Sequence, residues 1–172
     1  MKHLYAPWRK KYVEDIVHGK KEKTEEGECP FCLKILSHED EKNFILARFK
    51  YFTIMLNLYP YNAGHILIVS NDHKNCLKNI SAQARHELME LTNESINILT
   101  DVLKAEGINV GLNIGKASGA GIPAHLHQHV LPRWVGDTNF LPLLAHTKQI
   151  SVDLEELFLK LKPYFEKLTA HH

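Results

Sequence analysis

With 172 residues, 21 basic against 20 acidic side chains and a formal net charge of +1, the chain has the size of one domain. It carries no global field that would gather nucleic-acid polymers or a membrane surface. No apolar run approaches the roughly 20 residues that span a bilayer, and Met1-Lys2-His3-Leu4-Tyr5-Ala6-Pro7 lacks the apolar centre of a secretory signal, so a soluble, cytoplasmic protein is expected.

Pro7 stands at a possible first helical turn, and Trp8, Tyr12, Val13 and Ile16 follow at helical spacing, which predicts a short docking helix. The charged run between Gly19 and Glu28 has no face to bury and reads as a loop. The cysteines number three, too few for a disulfide framework. In a reducing compartment the pair in Cys29-Pro30-Phe31-Cys32 points to metal or redox chemistry, and Cys76 to a small buried hydrophobe. A brief helix is expected around Leu33-Lys34-Ile35-Leu36.

The aromatic and β-branched stretches Asn43 to Ala47 and Tyr51 to Leu58 predict a hairpin turned near Phe49-Lys50. Pro60-Tyr61-Asn62-Ala63-Gly64 breaks the pattern, and His65 to Ser70 resumes it as a strand buried on both faces. Ser81 is a fitting N-cap for a long helix over Ala82 to Lys104, with Leu88, Leu91, Ile98, Leu99 and Val102 at helical spacing and Gly107 as its terminator. A strand over Asn109 to Gly115, a glycine-rich loop from Lys116 to Ala124 and a histidine strand follow. A last amphipathic helix from about Val152 carries Leu154, Leu157, Phe158, Leu161 and Phe165 on one side, with Pro163 as a possible kink. These elements describe an α+β domain on a largely antiparallel sheet of about five strands, with one long helix and short terminal helices. One domain over 1–172 is expected: an N-terminal extension and loop over 1–28, a motif-bearing core over 29–140, and a C-terminal extension with a helix over 141–172.

The chemistry concentrates in His125-Leu126-His127-Gln128-His129. On a strand, alternate side chains leave one face, so His125, His127 and His129 would share a surface while Gln128 packs on the other. Histidine titrates nearest neutrality and serves as nucleophile, proton donor or metal ligand. Gly115, Gly119 and Gly121 in the preceding loop let backbone amides approach an anion, which beside the histidines suggests phosphate. His127, flanked by an imidazole on each side, is the natural nucleophile; attack on phosphorus would give a covalent phosphoramidate. His129 would then bond the phosphate or protonate the leaving oxygen.

The triad, together with Trp8-Arg9-Lys10-Lys11-Tyr12, Met55 to His65, Asn113-Ile114-Gly115 and Pro132 to Phe140, resembles the histidine triad (HIT) nucleotide hydrolases and transferases. Within that superfamily the chain is similar to the branch that holds bacterial diadenosine tetraphosphate phosphorylases. The resemblance implies a HIT-like fold and a homodimer sharing a continuous sheet. It implies an enzyme that cleaves a dinucleoside polyphosphate or related adenylyl compound at the α-phosphate through a nucleotidyl-histidine intermediate on His127. His125 and His129 match the flanking triad members, Asn57 a contact to the ribose region, Asn113 a contact to the phosphates, and His65 a histidine that supports the triad. Ser118, Gly119 and Gly121 fall in the loop that would line the substrate. Bacterial members resembling this chain bind zinc through a Cys-x-x-Cys pair and two histidines, which match Cys29, Cys32, His73 and His125; such a closed set implies structural zinc. No organic cofactor is expected. Two other readings fit the residues: a zinc-braced nucleotide-binding module that acts through protein partners with little turnover, and a metallohydrolase using the triad as ligands.

Overall fold

A computed structural model describes residues 29–138 and 153–169. The helix expected near Trp8, the charged loop before Cys29 and the segment 139–152 lie outside the described residues. Strand β1 (Ile45–Arg48) turns into β2 (Phe52–Leu56), and β2 pairs with β3 (Ile66–Ser70) in unbroken register from Phe52 opposite Ser70 to Leu56 opposite Ile66. Strands β4 (Gly107–Leu112) and β5 (His127–Arg133) complete an antiparallel sheet of order β1-β2-β3-β5-β4. Among the described residues three α-helices flank it: α1 (Pro30–Ser37), α2 (Ala82–Leu103) and α3 (Leu154–Leu168). The fold is therefore α+β, and no helix among the described residues is long and apolar enough to cross a membrane.

The register sorts the side chains. Residues directly opposed on antiparallel strands share a face, so Ile45, Met55, Leu67 and His129 form one row and Thr53, Val69 and His127 the next. Cys29, Phe31, Cys32 and Ile35 of the α1 region close over this face in a small core. The alternating residues Ile54, Leu56, Ile66, Ile68 and Val130 look the other way and pack on Leu88, Leu91 and Leu99 of α2 and on Leu157, Phe158, Leu161 and Phe165 of α3. The sheet thus has a thick structural face and a thin chemical one.

Several boundaries differ from the sequence pattern for local reasons. Ser81 caps α2 as expected, accepting from the Ala84 amide at 3.0 Å. The helix nevertheless stops at Leu103 with Lys104 in the left-handed conformation (φ 55°), because the Glu106 amide already bonds the Arg133 carbonyl at 2.9 Å and starts the β4–β5 ladder. Gly107 therefore opens a strand instead of ending a helix. Helix α1 begins at Pro30, whose fixed φ and missing N–H suit the first turn. Asp153 caps α3, which runs on through Pro163; that residue faces solvent, where water can reach the carbonyl it leaves unbonded. Gly64 stands at φ 73°, a left-handed conformation that L side chains rarely adopt, and this is what favours glycine there.

Candidate active site and metal corner

The end of β3, the start of α1 and the approach to β5 converge on one corner. Cys29 Sγ lies 3.3 Å from His125 Nδ1, and Cys32 Sγ lies 3.2 Å from His73 Nδ1 and 3.5 Å from His125 Nδ1. All four ligand atoms fall within 4.8 Å of one another. Zinc bonds of about 2.3 Å to sulfur and 2.0 Å to nitrogen place neighbouring tetrahedral ligands about 3.6 Å apart, so these donors need little movement to close on an ion. The tautomer fits as well. His125 Nε2 sits 2.7 Å from the Ser70 carbonyl and must donate to it, which leaves Nδ1 with its lone pair toward the thiols. Burial is the main cause that lowers the His125 pKa to about 4, so the ring is neutral and able to ligate at physiological pH. The four residues form a group that can hold a metal ion.

His125 does not stand on the strand with its two neighbours. Strand β5 starts at His127, and the two residues before it are held by other contacts: the His125 amide bonds the Ile122 carbonyl and the Leu126 amide the Lys74 carbonyl. The expected single row of imidazoles is therefore split, with His125 turned into the metal corner and His127 and His129 on the sheet face, their ring centroids 5.1 Å apart.

For His127 the arrangement of nitrogens is the reverse of that in His125. Its Nδ1 lies 2.7 Å from the His125 carbonyl, an acceptor, so Nδ1 carries the proton and the Nε2 lone pair is left for a substrate. Burial lowers its pKa against the opposing effect of that hydrogen bond, and a neutral ring is the nucleophilic form.

His129 takes its tautomer from a chain that starts at a fixed donor. The Tyr61 amide donates to His65 Nδ1 at 3.1 Å, so His65 must hold its proton on Nε2, which meets His129 Nδ1 at 2.9 Å. The remaining His129 nitrogen, Nε2, then bears a proton and is a donor. Burial, reinforced by His129 and His127, lowers the His65 pKa to about 3 and keeps the His65 ring neutral.

Asn57, expected at the ribose, spends its amide on His65: Nδ2 lies 3.2 Å from His65 Nδ1 and Oδ1 accepts from the Tyr59 amide at 3.0 Å. Asn113 follows Leu112, the last β4 residue paired with β5, where it stands opposite Gln128, and so lies just past the end of the ladder. Ser118 donates to the Gly115 carbonyl at 2.7 Å within its own loop, where Gly119 at φ 78° makes the left-handed turn. Gly121 lies in the same loop before Pro123. Gln128 points to the structural face, as alternation requires, and donates to Thr92 Oγ1 at 2.5 Å.

Local patterns did not single out three contributors. The Tyr61 ring stacks on His129 at 5.9 Å between centroids and 15° between planes. Asn62 Nδ2 bonds both the Pro132 carbonyl and Asp137, tying the His65 loop to the end of β5. Phe31 touches two imidazoles, His125 and His127. Tyr61 and Asn62 sit in the strand-breaking run before His65, a signal that marks a turn but not what it touches.

An antiparallel sheet with His127 and His129 side by side on one face, beside a corner of two thiols and two imidazoles, defines an α+β protein with a histidine-lined candidate site. Residues 38–135 match the HIT domain family. An AP-4-A phosphorylase from Mycobacterium tuberculosis is 33% identical over 150 residues, covering 87% of this chain and 77% of the relative. A bis(5'-nucleosyl)-tetraphosphatase (asymmetrical) from Schizosaccharomyces pombe is 26% identical over 93 residues, 54% of this chain and 50% of that one. Among solved structures, a zinc-bound histidine triad family protein from Mycobacterium smegmatis superposes with a TM-score of 0.68 at 21% identity, covering 86% of this chain and 100% of that one. The chain belongs to the HIT family.

Proposed function

We propose that the chain is an enzyme that cleaves a dinucleoside polyphosphate, or a related adenylyl compound, at the α-phosphate through a nucleotidyl intermediate on His127. The observation that carries this reading is the 2.7 Å bond from His127 Nδ1 to the His125 carbonyl, which commits the ring to the tautomer with a nucleophilic Nε2. In the first step the Nε2 lone pair forms a bond to the α-phosphorus and the phosphoanhydride bond to the bridging oxygen breaks. His129, its ring centroid 5.1 Å from that of His127, would serve the developing charge on the phosphate or leaving oxygen. In the second step an acceptor oxygen displaces Nε2: water releases a mononucleotide, inorganic phosphate a nucleoside diphosphate. The similarity to a relative named as a phosphorylase over 77% of its length favours phosphate as the acceptor.

Asn113 and the Ser118, Gly119 and Gly121 loop would line the phosphates, Asn57 the ribose side, and His65 the rear of His129. Cys29, Cys32, His73 and His125 would hold structural zinc, a reading supported by their donor set and by a solved relative described as zinc-bound. A second copy of the chain would join at β4, the sheet edge, where Val110 is 45% exposed. The test is mass spectrometry after rapid mixing with diadenosine tetraphosphate: an adenylyl adduct is expected on the parent and none on His127→Ala. Unchanged turnover in that variant would overturn the mechanism. Added phosphate should accelerate cleavage and appear in the product.

A further inference from the structure

The Cys-x-x-Cys segment carries, between its two thiols, an aromatic ring that the metal site has no use for. Phe31 is 7% exposed and lies with its ring centroid 5.5 Å from His125 and 5.0 Å from His127, inclined 70° to the first and 51° to the second. It is the one side chain of α1 shown in ring contact with the proposed nucleophile. Its surroundings of Ile35, Met55, Leu67 and Val69 make that side of His127 dry.

The imidazole needs such a wall. Rotation about the terminal torsion of histidine is broad and roughly two-fold, and a half-turn of the His127 ring would withdraw Nδ1 from the His125 carbonyl. One hydrogen bond of 2.7 Å opposes that half-turn. Phe31 on one side and His129 on another, with centroids at 5.0 Å and 5.1 Å, bracket the ring and restrict the motion sterically. The carbonyl that receives the bond belongs to His125, and the ring that limits the motion stands between Cys29 and Cys32 in sequence. Two of these three constraints on His127, the carbonyl and Phe31, therefore issue from the metal corner.

We propose that Phe31 is a positioning residue for His127, and that through it and the His125 carbonyl an ion held in the corner fixes the orientation of the nucleophile. The proposal rests on the nucleotidyl-transfer reading for its catalytic consequence, but its structural content is independent of substrate. Phe31→Leu is the informative variant, because it keeps an apolar side chain in the core and removes the flat ring; Phe31→Ala is the more severe companion.

The first measurement is the long-range proton–nitrogen spectrum of the His127 ring, free of substrate and at mildly alkaline pH, on zinc-loaded protein. A single Nδ1–H tautomer is expected for the parent and a mixture for Phe31→Leu with its zinc content unchanged. Stripping zinc from the parent should produce a similar mixture. The second measurement is the rate of adenylyl-protein formation from diadenosine tetraphosphate: Phe31→Leu should be slower by about tenfold with KM altered less than about threefold, the pattern of a misplaced reacting group. A single tautomer and parental adduct rate in Phe31→Leu would overturn the positioning role, and a His127 spectrum indifferent to zinc removal would overturn the link to the corner. If the parent forms no adduct at all, the transfer reading falls, and the substrate-free spectra decide the role of Phe31 by themselves.

Discussion

Two histidines of the same motif, His125 and His127, use a backbone carbonyl in opposite ways. In the metal corner His125 gives its Nε2 proton to Ser70 and turns Nδ1 to the thiols; on the sheet face His127 gives its Nδ1 proton to His125 and keeps Nε2 for chemistry. Both are buried and both have lowered pKa values. On the proposed reading, what separates the ligand from the nucleophile is which nitrogen the backbone claims, and strand geometry decides that, since β5 begins only at His127. Residue type alone assigns neither job.

The sharpest test of this contrast exchanges the two losses. His127→Asn should lower turnover by about a thousandfold or more, with melting temperature and zinc content unchanged, because it removes the covalent step. Cys29→Ser should do the reverse: lost zinc and a lower melting temperature by thermal scan, with a slowed but measurable adduct. Equal chemical silence in both variants would mean that the two regions are one site.

Next in size is His65, whose chain of tautomers serves His129 as the His125 carbonyl serves His127. His65→Leu should cost about a hundredfold in turnover, since the proton on His129 Nε2 is no longer specified, while stopped-flow or quench data still show an adduct on His127. A smaller effect of the same residue is on acid stability. Its folded pKa is about 3 against an ordinary 6.5, so between those values the unfolded chain binds the proton that the folded chain refuses. Stability contributed by the neutral ring is thus present above pH 6.5 and lost as pH falls toward 3; acidification from pH 7 to 5 should cost about 2 kcal/mol from this residue, read by urea unfolding at each pH. In His65→Leu that part of the pH slope should vanish.

The strands, the long helix and the triad are legible in the sequence because each rests on local periodicity: five apolar stretches, helical spacing after Ser81, and alternation about His127. What was not legible depends on contacts across the chain. His125 lies 96 residues from Cys29, and only the closing of α1 over the sheet reveals that its ring leaves the row of the other two. The cysteine pair announces metal or redox chemistry by itself, but its histidine partners follow from family resemblance, not from spacing. Asn57 illustrates the same limit: its identity announces an amide, but that this amide rests against His65 emerges only from the fold. Tyr61 and Phe31 carry no polar motif at all, and their importance lies in which ring they rest against.

The smallest expected effect concerns the residue between His127 and His129. Gln128 sits one position from His127 and from His129, yet it belongs to the structural face, where its Nε2 donates to Thr92 Oγ1 and Thr92 in turn donates to the Leu88 carbonyl at 2.6 Å. Gln128→Leu removes a donor and leaves Thr92 still bonded, so no buried donor is orphaned, and the leucine joins an apolar layer formed by α2 and α3. The loss should be no more than about 1 kcal/mol by urea unfolding, with adduct formation unchanged. A large fall in adduct rate with little loss of stability would show that the two faces of β5 are coupled through the strand itself. The separation of a thick structural face from a thin chemical one would then hold for packing but not for catalysis.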